Sequence, residues 1–261
     1  MKPTSISALN RLPQAEKEAI YGRFLPRVLL ERFRISPEFT DGHGHPLLKI
    51  QGEPGRSDVV IDLRHEVEAV DPLLYAHLTD TPNGQIHVLL YVVNDPDSPR
   101  FDVDRMPDGS PTKFGILDRN LEAELAAMQA GLAPGQVRSG LRILQHSIEA
   151  FEEFVRSVGH DLYLVEPLAY HNAVVFERYG FSYLKGRRLM QQVHQGFQPG
   201  GDLHRRLDGT SPFRQPWMHD SIRGRSWAIH DGILGTPFSH VTIYKRVGIA
   251  GDENTYPGAK W

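Results

Sequence analysis

The stretch DLYLVEPLAYHNAVVFERYGF, Asp161 to Phe181, decides how this chain folds. Its first part is an apolar run closed by Glu166 and Pro167, which reads as a buried strand, because proline cannot continue a ladder. The next part, Ala169 to Tyr179, reads as a helix stopped by Gly180, with an aromatic residue immediately after the stop. Working backwards, PGQVRSGLRILQHSIEAFEEFVRSVG (Pro134–Gly159) places Leu141, Leu144, Ile148, Phe151, Val155 and Val158 on one stripe at helical spacing. The order is therefore loop, long amphipathic helix, strand, short helix. The spacing predicts a helix over Ser139–Val158 packed on a sheet that contains Asp161–Val165.

Further out, LLYAHLTDT and QIHVLLYVVND flank PNG, where Asn83 and Gly84 suit the positive φ angles of a tight turn. This predicts a hairpin over Leu73–Asp80 and Gln85–Asn94. Pro13–Arg34 reads as two short helices broken near Pro26. Phe39–Arg56 reads as loop and DVVIDL (Asp58–Leu63) as a strand. RFDVDRM (Arg100–Met106) reads as a further strand, PDGSPTKFG as loop, and RNLEAELAAMQAG as helix. Beyond Lys185, GRRLMQQVHQGF reads as helix, and RSWAIH and HVTIYKRVG as late strands. The class is α+β: a mixed, largely antiparallel sheet with packed helices. Residues 1–184 form the main domain with N-terminal helices, and 185–261 a C-terminal extension packed on it. That extension has few long apolar runs, so it is expected to lie as a layer, with Trp227, Ile229, Val241, Ile243 and Tyr244 inward and Arg223 or Arg225 facing an anionic group.

Composition narrows the function. With 40% hydrophobic residues in 261, the chain can bury a large core. No window reaches the roughly eighteen consecutive apolar residues of a membrane span, and the first residues lack the layout of a secretory signal. A cytoplasmic protein that engages no membrane is expected. The absence of cysteine removes disulfides, thiolate metal sites and a cysteine nucleophile. A net charge of −3 gives no general attraction to nucleic acid. From Lys185 onward there are 11 Lys+Arg against 6 Asp+Glu, while the rest of the chain holds 18 against 26.

Between Ala133 and Phe181 the chain resembles the GNAT superfamily of acyl-CoA N-acyltransferases, through PGQVRSGLRILQHSIEAFEEFVRSVG, then DLYLVEP, then AVVFERYGF. The resemblance implies a GNAT-like fold, acetyl-CoA or another acyl-CoA as co-substrate, and a small-molecule amine as acceptor. It implies that Gln136, Val137, Arg138, Ser139 and Gly140 hold the coenzyme pyrophosphate, with Asn172 completing the set. The chemistry of that loop agrees: a helix start offers open N–H groups and partial positive charge, Gly135 and Gly140 allow close approach, and Arg138 and Arg142 add charge. From Gln136, the two small positions of the family signature fall on Ser139 and Leu141. The family's thiolate-protonating tyrosine would stand where Phe176 is. Glu166, at the strand end, and Tyr170 are then the candidate base and acid. A non-catalytic acyl-CoA-binding or sensor protein of the same fold is the alternative. A metal-dependent enzyme is a third class, because the thirteen histidines include His43 and His45, His65 beside Glu66, and His230-Asp231 with His240. Homo-oligomerisation is left open.

Overall fold

The computed structural model of the chain describes residues 3–112 and 118–261. Seven strands form one mixed, mostly antiparallel sheet in the order β1-β2-β3-β4-β5-β7-β6, with nine α-helices among the described residues. The chain divides into two compact units. Unit 1 is Met1–Asp97, Gly140–Glu166 and Tyr244–Ala250; unit 2 is Ser98–Ser139, Pro167–Ile243 and Gly251–Trp261. Unit 2 thus gathers most of 185–261 together with 98–139 and 167–184.

Unit 1 begins with α1 (Ile6–Leu9), α2 (Gln14–Tyr21), a short 3-10 turn at Gly22–Phe24, and α3 (Arg27–Arg32). The break falls at Leu25 and Pro26, as the proline predicts. The Asp80 carboxylate accepts the N–H groups of Ile6 and Ser7 at 2.8 and 2.9 Å, which fastens the start of α1 to the sheet. Four antiparallel strands follow: β1 (Leu48–Gln51), β2 (Asp58–Leu63), β3 (Leu74–Asp80) and β4 (Ile86–Val93). β1 lies inside the stretch read as loop; four residues among many glycines and prolines leave too short an alternation to recognise. In the hairpin turn only Gly84 takes a positive φ, 77°. Asn83 does not, because the loop is a turn closed by Gly84 N–H on the Thr81 carbonyl, with Gly84 as its single left-handed residue.

Helix α5 (Leu144–Ser157) and β5 (Leu162–Val165) complete the core of unit 1. α5 buries Ile148, Phe151, Phe154 and Val155, the face its stripe predicts. Phe24, Phe151 and Phe154 meet edge-on or tilted at 5.7–6.3 Å between ring centres, and Phe151 meets Tyr163 at 4.8 Å. Each such side chain contributes about 1.5–3 kcal/mol by leaving water, with a further increment from the ring geometry.

Unit 2 is helical: α4 (Leu121–Gln129), α6 (Tyr170–Arg178), α7 (Arg187–Gly196), α8 (Asp202–Arg205) and α9 (Ile222–His230), with the short β6 (Ser182–Lys185). β7 (Thr242–Arg246) begins in this unit and continues into Tyr244–Arg246 of unit 1. RSWAIH, expected as a strand, is the body of α9. Ser221 caps the helix by accepting the Gly224 N–H at 3.0 Å. Arg100–Met106 is likewise not a strand; its only bridge is Arg105 to Pro111. The loop reading of Pro107–Gly115 falls partly outside the described residues.

Trp227 sits at the centre of unit 2, donating Nε1–H to the Leu132 carbonyl at 2.9 Å and stacking on Phe213 at 5.2 Å. Arg225 is 2% exposed, lies 3.7 Å from the Tyr256 ring centre, and donates to the His219 carbonyl at 2.6 Å. Arg223 donates to the Gly131 carbonyl at 2.7 Å. Of the two arginines expected to face an anion, Arg225 is instead buried against rings. Trp227, Ile229, Val241 and Ile243 are buried, as expected of inward residues.

Candidate functional site

In unit 1, β5 runs parallel to β4, with Ile86, His87 and Val88 paired to Tyr163, Leu164 and Val165. The Glu166 N–H closes this ladder on the Val88 carbonyl at 3.0 Å. There the pairing stops, while β4 runs on to Val93. Leu89 is the extra residue of a bulge: the β3 register pairs Leu78 with Val88 and His77 with Leu90. Bulges bend a strand and re-aim it. From Leu89 to Val93 the strand is only half-buried, although it lies inside the sheet order. The two strands therefore fork at their carboxyl ends, where ligands settle in open parallel sheets.

The start of α5 belongs to the same unit. A Cβ built on Gly140 would lie 3.5 Å from the Val93 carbonyl oxygen, so the chain re-enters unit 1 beside the end of β4. α5 begins only at Leu144. Its N-cap is Ile143, which offers no side-chain hydrogen bond, so the N–H groups of the first turn stay open. Arg142, exposed, holds φ 58° just before it. A non-glycine residue in that region carries roughly 1 kcal/mol of strain, a cost that gathers at functional sites.

Two titratable side chains flank the fork. His87 pairs with Leu164, and Glu166, two residues on, shares that face. Burial pushes the His87 pKa down, partly opposed by the negative charge of Glu166. The His87 Nε2 is buried without a hydrogen-bond partner among the described residues. Buried polar atoms are normally satisfied by protein or by ordered water, so His87 Nε2 can take a water or a ligand atom. His87 escaped notice in the sequence because QIHVLL shows it as one ordinary polar position of an alternating strand; only the β4–β5 register brings it to Glu166.

The other residues singled out from sequence belong to unit 2. Gln136 turns back to accept the Ala133 N–H at 2.7 Å. Val137 accepts the Phe101 N–H at 2.8 Å and packs on the cluster of Val103, Ala127 and Leu132. Arg138 donates to the Ser98 carbonyl, and the Ser139 N–H to the Ser98 Oγ at 3.1 Å. These groups hold a loop, and the helix starts at Leu144, five residues past the expected start, so Ser139 is not its cap. Asn172 is in the first turn of α6, half-buried, its N–H on the Ala169 carbonyl at 3.1 Å. Tyr170, 1% exposed, packs edge-on against Phe238 at 6.3 Å. Burial raises its pKa to about 12, opposed by the neighbouring Arg225 guanidinium. Phe176 packs on Phe181 at 4.8 Å.

Tyr170 also lines a cavity of about 380 Å³ formed wholly within unit 2, with Arg119, Ser226, Ile229, His230, Asp231 and Phe238 among its walls. A partly buried network stands behind it. His230 Nε2 meets Glu124 Oε1 at 2.9 Å; Arg119 binds Glu124 through Nε at 2.9 Å and Asp231 Oδ1 at 2.9 Å; Arg214 binds Asp231 Oδ2 at 2.8 Å. Burial alone would raise the Glu124 pKa, but the bonds from His230 and Arg119 outweigh it and hold the carboxyl below its ordinary value. Ser226 Oγ lies 2.8 Å from His171 Nδ1, and burial depresses His171 to about 4, so this imidazole is neutral at neutral pH. Of this network the sequence showed only the pair His230-Asp231. Among the described residues no group of three or more His, Asp or Glu side chains is arranged to hold a metal ion, and no helix is long and apolar enough to cross a membrane.

Known proteins add no neighbour: no family model, curated protein or solved structure matches this chain.

Proposed function

We propose that this protein is an acyl-CoA-dependent N-acyltransferase acting on a small-molecule amine. The observation that carries the reading is the fork between β4 and β5. An open strand edge inside a sheet is a template for another extended chain of amides, and the amide-containing arm of coenzyme A has that form. The uncapped start of α5 in the same unit, with Arg142 before it, suits the pyrophosphate. Of the residues present, Arg142–His146 suit the pyrophosphate best, six residues along from the loop that the resemblance suggested.

When bound, the acyl-CoA would supply a thioester-activated acyl group. Glu166 would attract the ammonium form of the acceptor, and His87, kept neutral by burial, would take its proton. As the C–N bond forms and the C–S bond breaks, His87 would pass that proton to the departing thiolate, which answers the absence of a donor at Phe176, and the second proton shed by the new amide nitrogen would leave through His87 to water. Incubation with acetyl-CoA and mixed amines, read by mass spectrometry, tests turnover. His87→Gln is expected to lower kcat about 100-fold, within the usual range for an acid–base group, and Glu166→Gln to raise the KM of the amine, while coenzyme affinity stays nearly constant in both. A second reading, an acyl-CoA-binding protein without turnover, is favoured by the Phe176–Phe181 packing; it predicts binding with no acylated product from any amine.

A further inference from the structure

The cavity of unit 2 uses none of the groups assigned to acyl transfer at the fork. Its polar wall has a definite charge and donor count. The Glu124 oxygens are occupied by His230 and Arg119, and the Asp231 oxygens by Arg119 and Arg214. An ammonium ligand would find both carboxylates already occupied. Donors remain, however. The Arg119 guanidinium has five N–H groups; Nε and Nη2 go to Glu124 and one on Nη1 to Asp231, which leaves two among the described residues. With Nε2 on Glu124, the other ring nitrogen of His230 has no partner among the described residues, and His230 lines the cavity. The charges of Arg119 and Arg214 balance those of Glu124 and Asp231, so the spare N–H groups of Arg119 face the cavity without an uncompensated negative charge beside them. The rest of the lining is largely apolar: Pro134, Leu168, Ile229, Pro237 and the rings of Tyr170 and Phe238.

We propose that this cavity is a second binding site, for a small organic carboxylate with an apolar body: the carboxylate on the spare N–H groups of Arg119 beside His230, the body against Ile229, Tyr170 and Phe238. The volume is at the low end of small-molecule pockets, which suits a compound with a single ring. A buried network of charges is weak support for stability, since apolar replacements of equal volume do as well or better. Its convergence on a cavity wall with spare donors has a reason if an anion completes it.

The test uses the full chain and matched pairs of probes: benzoate with benzamide, phenylacetate with phenylacetamide, and 3-phenylpropionate with its amide. At least one acid is expected to raise the melting temperature and to bind in calorimetry, about tenfold more tightly than its amide. Arg119→Lys, which keeps the charge but gives up the spare guanidinium N–H groups, should remove that preference. Thr236→Trp, at an exposed rim position, should block binding of the acid without touching the network. Binding of no acid, equal binding of acid and amide, or acid binding unchanged in Thr236→Trp would each overturn the proposal. Acetyl-CoA is absent from these titrations, so their failure leaves the acyltransferase reading where it stands.

Discussion

Both units pair buried charges, Asp62 with Arg64 and Glu152 with Lys245 in unit 1, but they differ in how many ring nitrogens are left open. In unit 1 the core is aromatic and aliphatic, and the imidazole atoms His65 Nδ1, His77 Nε2 and His87 Nε2 are buried without partners among the described residues. Its principal helix, α5, starts without a cap. In unit 2 the buried Glu124 pairs with Arg119 and His230, and the half-buried Asp231 with two arginines. Its helices α4 and α9 are capped by Asn120 and Ser221. The difference teaches where to look for a reactive centre. Satisfied networks fix a shape, whereas open donors and acceptors beside a gap in pairing are groups awaiting a ligand.

The largest effects should come from the two cores, by different routes. Phe154, fully buried among Phe24, Phe151 and Tyr21, should cost about 3–5 kcal/mol as Phe154→Ala through a cavity. Glu124→Gln should cost roughly 3 kcal/mol by stranding Arg119 beside an unpaired His230. Denaturant titration checks both, and adding Arg119→Met should recover part of the second loss but none of the first. A Glu124→Gln protein as stable as the parent would mean the network is solvated and the contrast false.

The next effect depends on pH. Burial holds His171 at about 4, while an unfolded imidazole titrates near 6.5. Between those values the unfolded chain binds more protons, so stability present above about pH 6.5 is lost as pH falls towards 4, by up to about 3 kcal/mol. Melting curves across this range should show the loss, and His171→Gln should flatten it. A parent protein equally stable at pH 7 and pH 4.5 would contradict the burial of this ring.

The smallest effects distinguish the helix starts. Asn120→Ala should remove about 1 kcal/mol from unit 2. Ile143→Asp should stabilise α5 by roughly 0.5–1 kcal/mol, because a carboxylate would fill the open N–H groups. The same change should weaken acyl-CoA binding. Stabilisation with unchanged binding would show that the start of α5 holds no pyrophosphate.

Much of unit 1 was legible in the sequence because its signals are local and regular. Alternation gave β2, β3 and β4, the glycine turn gave the hairpin, and the stripe from Leu144 to Val155 gave α5. α9 was misread for a physical reason: Ile222, Gly224, Arg225, Ser226, Trp227, Ala228 and Ile229 are all buried. A helix surrounded on every side shows no amphipathic period, and RSWAIH then looks like a strand. The start of α5 was placed too early because Ser139 and Gly140 look like a cap, although they lie in irregular chain before it. Glu166 was visible as a carboxylate at a strand end. His87 needed the register, and the network of Arg119, Glu124, Arg214 and Asp231 needed the fold, since its members come from distant parts of the chain.

The central claim is that the fork in unit 1 takes acyl-CoA, and calorimetric titration of the full chain with acetyl-CoA tests it most directly, run in parallel on Ile143→Asp. The expected result is saturable binding by the parent and a loss of about tenfold or more in a variant that is folded and slightly more stable. No heat of binding by the parent up to millimolar acetyl-CoA, or equal affinity in the two proteins, would contradict it.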